Sequence, residues 1–388
     1  MSVWGEVVGQ EASVEVLRRA VDSAGEVLAG RPGPAMTHAW LFTGPPGSGR
    51  SVAARAFAAA LQCEQGGCGV CHSCRTVLAG THTDVVVVAT ELVTIKIDEV
   101  RSLVQAAHRH PAQGRWRVVL VEDADRMSER TSNVLLKSVE EPPERTVWLL
   151  CAPSAEDIVP TIRSRCRSVR LRVPPAEAVA ALLVRRDGVD PAMASFAARV
   201  SQSHIGLARR LARDEGARTR RQEVLKIALG VGGIGEAVLQ AGNLVDVATE
   251  EATSATQERN ATEKASLLHS LGAEGAATLP PALRSQVRAL EEDQKRREKR
   301  LKLDVLDRAL LDLLSVYRDV LVVQLGAGLE LVNAELRGTV EDLAVRWTPE
   351  ETLHRMEAIG RTRANIAENP NLSLLLAVES MALQLARA

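Results

Sequence analysis

The sequence predicts an α/β P-loop domain built on a parallel sheet, with a cysteine module inserted into it, followed by chain that is helical to its end. Three observations carry that prediction. Short β-branched or apolar runs alternate with helical patterns over residues 1–172 and stop at Pro174, as a parallel α/β sheet requires. A glycine-rich loop, Gly44-Pro45-Pro46-Gly47-Ser48-Gly49-Arg50-Ser51, joins the first such run to a helix. Four cysteines crowd together as Cys63-x4-Cys68-x2-Cys71-x2-Cys74.

The elements follow in order. Gln10–Leu28 is a helix with Val14, Val16, Leu17, Ala20 and Val21 on its apolar side. His38–Thr43 is a short apolar strand, and the Ala-rich stretch Ser51–Gln62 is a helix. Asp84–Ala89, Trp116–Val121 and Thr146–Cys151 have the length and composition of buried strands. Helices are expected at Ile97–Ala107 and Ser128–Glu140 between them, and the alternating Ser168–Val173 suits a strand nearer an edge. Residues 175–214 hold three short helical patterns, enough for a small bundle. Leu303–Leu325 and Ser373–Leu385 are apolar-periodic helices. The segment 243–300 is low in large apolar residues and is expected to be flexible or an inserted helical piece. Its charge run Glu291–Lys302 reads as a solvated helix face or an extended arm. These boundaries give domains at 1–173, 174–216 and 217–388.

Composition narrows the function. Of 388 residues, 48 are Lys or Arg and 49 Asp or Glu, so no strong net field favours nucleic acid or an acidic membrane. Five Trp, three Phe and one Tyr are too few for a platform that stacks single-stranded bases. No run approaches the roughly eighteen apolar residues of a membrane helix, and the N-terminus lacks the basic flank and apolar stretch of a signal peptide. A cytoplasmic location is expected.

The glycine-rich loop sits where a Walker A motif belongs, after a strand and before a helix. Backbone N–H groups and a helix N-terminus favour phosphate oxygens there, and Ser51 is placed to hold magnesium. Position 50, however, is Arg where the pattern has Lys. A planar guanidinium is no substitute for the compact ammonium that reaches the β- and γ-phosphates. The acids at the end of the Trp116–Val121 strand are also altered: Glu122-Asp123 stands where ATPases of this type have Asp-Glu, for magnesium and for water respectively. Two readings stay open: a vestigial nucleotide site, or acids that merely end a buried strand and pair with Arg126.

The four-cysteine cluster has the spacing of a closed tetrahedral zinc site, with Gly66, Gly67 and Gly69 letting the chain wrap the ion. All four positions are filled by protein, so the role is structural. His72 is a neighbour rather than a ligand, and Cys151 is a buried small residue.

A P-loop domain with four cysteines inserted after the P-loop helix resembles bacterial replicative clamp-loader subunits of the AAA+ class. Val7-Val8-Gly9-Gln10, His38-Ala39-Trp40-Leu41-Phe42-Thr43-Gly44, Ile97-Asp98-Glu99-Val100-Arg101, Asn133 to Pro143 and Ser164-Arg165-Cys166 carry the resemblance, which is dense over residues 3–172. It weakens beyond and is only suggestive at Tyr317-Arg318-Asp319 and Asn369–Glu379. The family contains motor subunits with an intact Lys and Asp-Glu pair, and a stator kind with degenerate versions. Arg50 and Glu122-Asp123 match the stator kind, as does Ala152-Pro153-Ser154 in place of a sensor Thr or Asn. The lid position for a sensor Arg falls on Gly206, with Arg209 close by.

The resemblance implies an AAA+ domain, a helical lid at 174–216 and a collar at 217–388. It implies that Arg165 is an arginine finger acting in trans on ATP held by an adjacent subunit; the competing reading pairs Arg165 with a local acid such as Asp157. Structural Zn2+ is the implied cofactor, with ATP or ADP held without hydrolysis and Mg2+ left open. Implied partners are motor (gamma/tau-type) and delta subunits and, through the complex, the sliding clamp and primed DNA. The chain alone is then no ATPase, but part of a DNA-directed DNA polymerase (nucleotidyltransferase) assembly. Two alternatives remain: a motor ATPase that tolerates Arg50, and a zinc-containing nucleic-acid binder whose Arg296–Lys302 stretch tracks phosphates.

Overall fold

The computed structural model describes residues 2–90, 94–230, 233–270, 281–369 and 372–387. The chain divides into two compact units that meet in sequence between Arg213 and Asp214.

The first unit is built on a five-stranded parallel sheet: β1 (Ala39–Thr43), β2 (Val85–Val88), β3 (Arg117–Val121), β4 (Thr146–Ala152) and β5 (Arg167–Arg170), in the order β2-β3-β4-β1-β5. The central strands are buried along their whole length, which is why they read as unbroken apolar runs rather than alternating ones. Register pairs Leu41 with Leu150 and Leu120 with Leu149. The pleat sends Trp40, Phe42, Val118 and Leu120 into one core layer and Leu41, Val119, Val121 and Trp148 into the other. The first layer is filled by α1 (Glu11–Leu28) and α2 (Arg50–Gln62), where Phe57 meets Trp40 edge-on at 5.0 Å. The second is filled by α4 (Ile97–Ala107) and α5 (Glu129–Glu140); α3 (His72–Leu78) follows the cysteine loop.

β5 is an edge strand, as expected, but lies at 167–170 rather than 168–173. Beyond it, the Arg172 backbone is paired not by a strand but by the Gln10 side chain, which accepts from Arg172 N (3.0 Å) and donates to Arg172 O (2.6 Å). After the short α6 (Pro160–Arg163) and β5 come α7 (Ala176–Asp187), α8 (Pro191–Val200) and α9 (Ile205–Arg213). These three helices cluster with the sheet in the first unit.

The second unit is helical: α10 (Glu215–Gly230), α11 (Ile234–Ser270), α12 (Pro281–Gln324), α13 (Arg337–Arg346), α14 (Pro349–Glu368) and α15 (Leu374–Arg387). The described residues of the 243–300 segment belong to α11 and α12, and the charge run 291–302 is part of α12. Residues 271–280 of that segment, and 370–371 of the Asn369–Glu379 string, lie outside the described residues. A core of Leu244, Leu306, Leu310, Leu313, Tyr317, Ile359, Val378 and Met381 holds the bundle together. The Tyr317-Arg318-Asp319 string is structural here. Asp319, fully buried, accepts from the backbone N–H groups of Val332 (2.9 Å) and Asn333 (2.7 Å). Arg221 bridges Asp312 (3.0 Å) and Asn333 (2.6 Å) beside it. Among the described residues, no helix is long and apolar enough to cross a membrane.

Candidate phosphate loop, finger and metal centre

The glycine-rich loop leaves the C-terminal end of β1 and opens α2, whose first-turn N–H groups have no partner within the helix. Gly47 and Gly49 both have φ +85°, the left-handed region that a phosphate-cradling loop needs. At Gly47 the glycine is also required by a neighbour: a Cβ there would lie 2.7 Å from His204 Cα. His204 is carried to the loop by Gln202 and Ser203, two consecutive non-glycine residues at φ 50° and 65°. Ser48 is buried, and its Oγ has no hydrogen-bond partner. Pro45 and Pro46 are exposed, and Gly44 N donates to Pro153 O (3.1 Å), so the stretch Ala152-Pro153-Ser154 touches the loop through its backbone.

The charges that phosphate chemistry needs are engaged internally. Arg50 donates from Nη1 to the carbonyl of Gly44, turning its guanidinium back on its own loop. Glu122, at the end of β3, is bound by Arg55 Nε of α2 at 2.6 Å. Asp123 faces Arg126 at 3.6 Å. The strand-ending reading of the acids therefore has the right partner for Asp123 and the wrong one for Glu122. Asp125 is pushed up by burial, and so is the Cys151 thiol, which sits inside β4 as a neutral core residue. The loop's backbone fits a phosphate group, while Arg50, Glu122 and Asp123 each have a partner within the protein.

Arg165 lies between α6 and β5, at the edge of the sheet, with 39% of its side chain exposed. It is not paired with Asp157, which accepts from Ser154 N (2.9 Å). Glu140, the last residue of α5, holds Arg165 Nη2 at 2.5 Å, and Nη1 donates to Thr161 O (2.7 Å) and Ser164 Oγ (3.2 Å). Burial pushes the Cys166 thiol up to about 12, so it is no nucleophile. In the three-helix cluster, Gly206 lies beside His204, and Arg209 is held by Asp187 at 3.0 Å. Sequence reasoning missed Arg55, His204 and Asp187, and had Glu140 only as part of the Asn133–Pro143 string, because each meets its partner only through the tertiary fold.

The candidate metal centre is assembled by the end of α2 and the start of α3. The Sγ atoms of Cys63, Cys68, Cys71 and Cys74 all lie within 4.8 Å of one another, and Cys71 and Cys63 Sγ are 3.8 Å apart. That matches the edge of a tetrahedron with metal–sulfur bonds of about 2.3 Å. Backbone N–H groups of Cys68, Cys71 and Cys74 each donate to the preceding cysteine sulfur at 3.4 Å, the pattern that supports thiolates. N–H groups of Val70 and Cys71 bring Cys68 down to about 6. Burial opposes ionisation of Cys63, yet N–H donors at Cys68, Gly67 and Gln65 outweigh it and lower its pKa; burial raises Cys74. The donor set fits a four-thiolate ion. His72 is exposed and outside the cluster. The N-terminal turn seals the module: Val3 N donates to Gly67 O (3.0 Å), and a Cβ on Gly67 would sit 2.6 Å from Val3.

Residues 33–175 match the family described as DNA polymerase III, delta subunit. The chain is 37% identical over 187 residues to the DNA polymerase III subunit gamma/tau of Mycobacterium tuberculosis H37Rv, covering 47% of this chain and 31% of that protein. It is 39% identical over 163 residues to the DNA polymerase III subunit delta' of Pseudomonas aeruginosa PAO1, covering 40% of this chain and 50% of that protein. The chain thus matches half or less of the length of these curated relatives. A solved DNA polymerase III gamma subunit-related protein from Thermotoga maritima aligns over 72% of this chain and 99% of its own, at 18% identity and a TM-score of 0.32.

Proposed function

We propose, for a chain that belongs to the clamp-loader family of DNA polymerase III subunits, that it is the delta-prime (stator) kind. In this reading it helps load the sliding clamp on primed DNA without hydrolysing ATP itself. The observation that carries the reading is that the charged side chains of the phosphate site have partners within the protein: Arg50 on Gly44 O and Arg55 on Glu122. A motor subunit must keep a cation for the γ-phosphate and an acid for magnesium. Here both are bound to protein.

The working group is then Arg165, offered to ATP on an adjacent gamma/tau-type subunit. A guanidinium stabilises charge building on the transferred phosphate through its fork of N–H donors. Thr161 O and Ser164 Oγ fix Nη1, so Nε and Nη2 are the atoms that face a phosphate once Glu140 yields. Residues 174–216 serve as the lid, with Arg209 tied to Asp187 rather than held out as a sensor. Residues 217–388 serve as the collar that joins the subunits. The cysteine module holds one structural zinc ion, which when bound cross-links α2 to α3 and takes no part in turnover.

The motor reading keeps one specific support, the 37% identity to a gamma/tau subunit. Reconstitution tests the finger role. The chain is combined with gamma/tau and delta subunits, clamp and primed DNA, and ATP turnover is compared for wild type and Arg165→Ala. The stator reading expects Arg165→Ala to depress turnover by at least tenfold with the assembly intact by gel filtration. Unchanged turnover removes the finger role.

A further inference from the structure

We propose that the outer face of the first half of α12 is a docking ridge for the phosphate backbone of duplex DNA. The proposal stands apart from the stator reading, since it rests on a different unit and on no nucleotide chemistry.

Between residues 284 and 302 the chain has eight basic residues against four acidic ones, in a protein whose formal net charge is −1. Their placement is not random around the helix. Arg284, Arg288, Lys295, Lys299 and Lys302 are separated by four, seven, four and three residues, which keeps them within about 60° on a helix of 3.6 residues per turn. The first four are exposed and Lys302 half-buried. Val287 and Gln294 are buried on a different side, where Gln294 meets Asn260 and Glu263 of α11. The basic row is therefore centred roughly 90° around α12 from that seam.

The acidic residues of the stretch are held in local pairs. Glu291 lies within the row, but its carboxylate takes Lys264 of α11 at 2.7 Å. Glu292 and Asp293 meet Arg296 at 3.7 and 3.6 Å, and Glu298 accepts from Thr253 at 2.7 Å. The stretch carries four more basic than acidic residues over about 27 Å, the length of roughly eight base pairs at about 3.4 Å each.

The chemistry of the face selects its occupant. Protein interfaces carry an apolar, aromatic centre, whereas Ala289 is the one exposed apolar residue described between 284 and 302. Single-stranded nucleic acid calls for aromatic side chains on which bases stack, and residues 233–304 contain no Phe, Trp or Tyr. What remains is a straight row of point charges, suited to a regular polyanion read through its backbone and not its sequence.

The test uses the full chain and a fluorescently labelled 20-base-pair duplex of arbitrary sequence, with binding followed by anisotropy from about 50 to 200 mM salt. Wild type is expected to bind at low salt with a steep salt dependence, and to bind a single strand of equal length more weakly. The Arg284→Gln/Arg288→Gln/Lys295→Gln/Lys299→Gln variant is expected to lose at least tenfold in affinity at the lowest salt. Its log–log salt slope should flatten by about 0.9 for each contact removed. Arg296→Gln/Arg300→Gln, off the ridge, should change little. The proposal is overturned if wild type binds no duplex at low salt, if the quadruple variant keeps the wild-type affinity and slope, or if the off-ridge pair costs as much. Should the quadruple variant lose helix content, amine modification of wild type decides instead. Duplex must protect Lys295 and Lys299, and unprotected lysines refute the ridge.

Discussion

Arg50 and Arg55 sit five residues apart on the first turns of α2, yet they disable different halves of a phosphate site. Arg50 is turned on Gly44 O, and Arg55 on Glu122. They are separable by substitution. Arg50→Lys places a compact ammonium where the guanidinium folds back, so ADP affinity measured by calorimetry should rise at least tenfold. Turnover should stay absent, because Arg55 still occupies Glu122. At the sheet edge, Glu140→Gln keeps the shape beside Arg165 and removes the charge. In a reconstituted assembly it is expected to raise ATP turnover in the absence of DNA severalfold, since the carboxylate competes with phosphate for the same guanidinium. A drop in turnover would instead make Glu140 an aid to Arg165. Arg50, Arg165 and the reversed acid pair were legible as departures from, or matches to, a local motif. Their partners were not: Arg55 and Glu122 are 67 residues apart, and only the folded sheet brings them together.

Among the elements, the cysteine module and the α11–α12 pair make contrasting demands. The module spans twelve residues, too few for a core of its own, and its four sulfur atoms gather where the proposed zinc ion would bridge them. Purified without chelator, the protein should contain about one zinc per chain, and Cys68→Ala/Cys71→Ala should lose it along with several degrees of thermal stability. Metal-free wild type of unchanged stability would contradict this. Over residues 250–300 the α11–α12 seam has few large buried apolar side chains and uses charge. Arg297 grips Glu263 with both Nη atoms, at 3.0 and 2.5 Å, and also reaches Asn260 (2.8 Å). That grip holds the Glu263 carboxyl down to about 2. A depressed carboxyl stabilises above its unfolded value of about 4.3 and ceases to as pH falls through its folded value. Helix content measured by circular dichroism should therefore fall between pH 4 and pH 2, and Glu263→Gln should remove part of that dependence. The low apolar content of 243–300 left both a flexible segment and a helical insertion open, and the described residues are helical. Helices α13 and α14 escaped sequence reasoning although α14 announces itself. Thr348 and Glu351 form a capping box around Pro349, with Glu351 N to Thr348 Oγ1 at 3.2 Å and Thr348 N to Glu351 Oε2 at 2.8 Å.

At the scale of the molecule, the resemblance and the family match both fall on the first unit, while the second is matched by neither along most of its length. The strands of the sheet were legible because burial on both faces makes each an unbroken apolar run. Their spatial order was not, since no periodicity records which run lies beside which. The break between units at 213–214 lies close to the expected end of the three-helix segment at 216, and those helices pack with the sheet as one unit. The central claim is that a whole P-loop unit has been kept while its own phosphate chemistry is closed off. Steady-state ATP turnover by the purified chain alone, with magnesium and without partners, tests that most directly. The account predicts no turnover above the rate of a Gly47→Asp control, in which the loop is blocked. Hydrolysis by the wild-type chain that the control abolishes would contradict it and make this chain a motor.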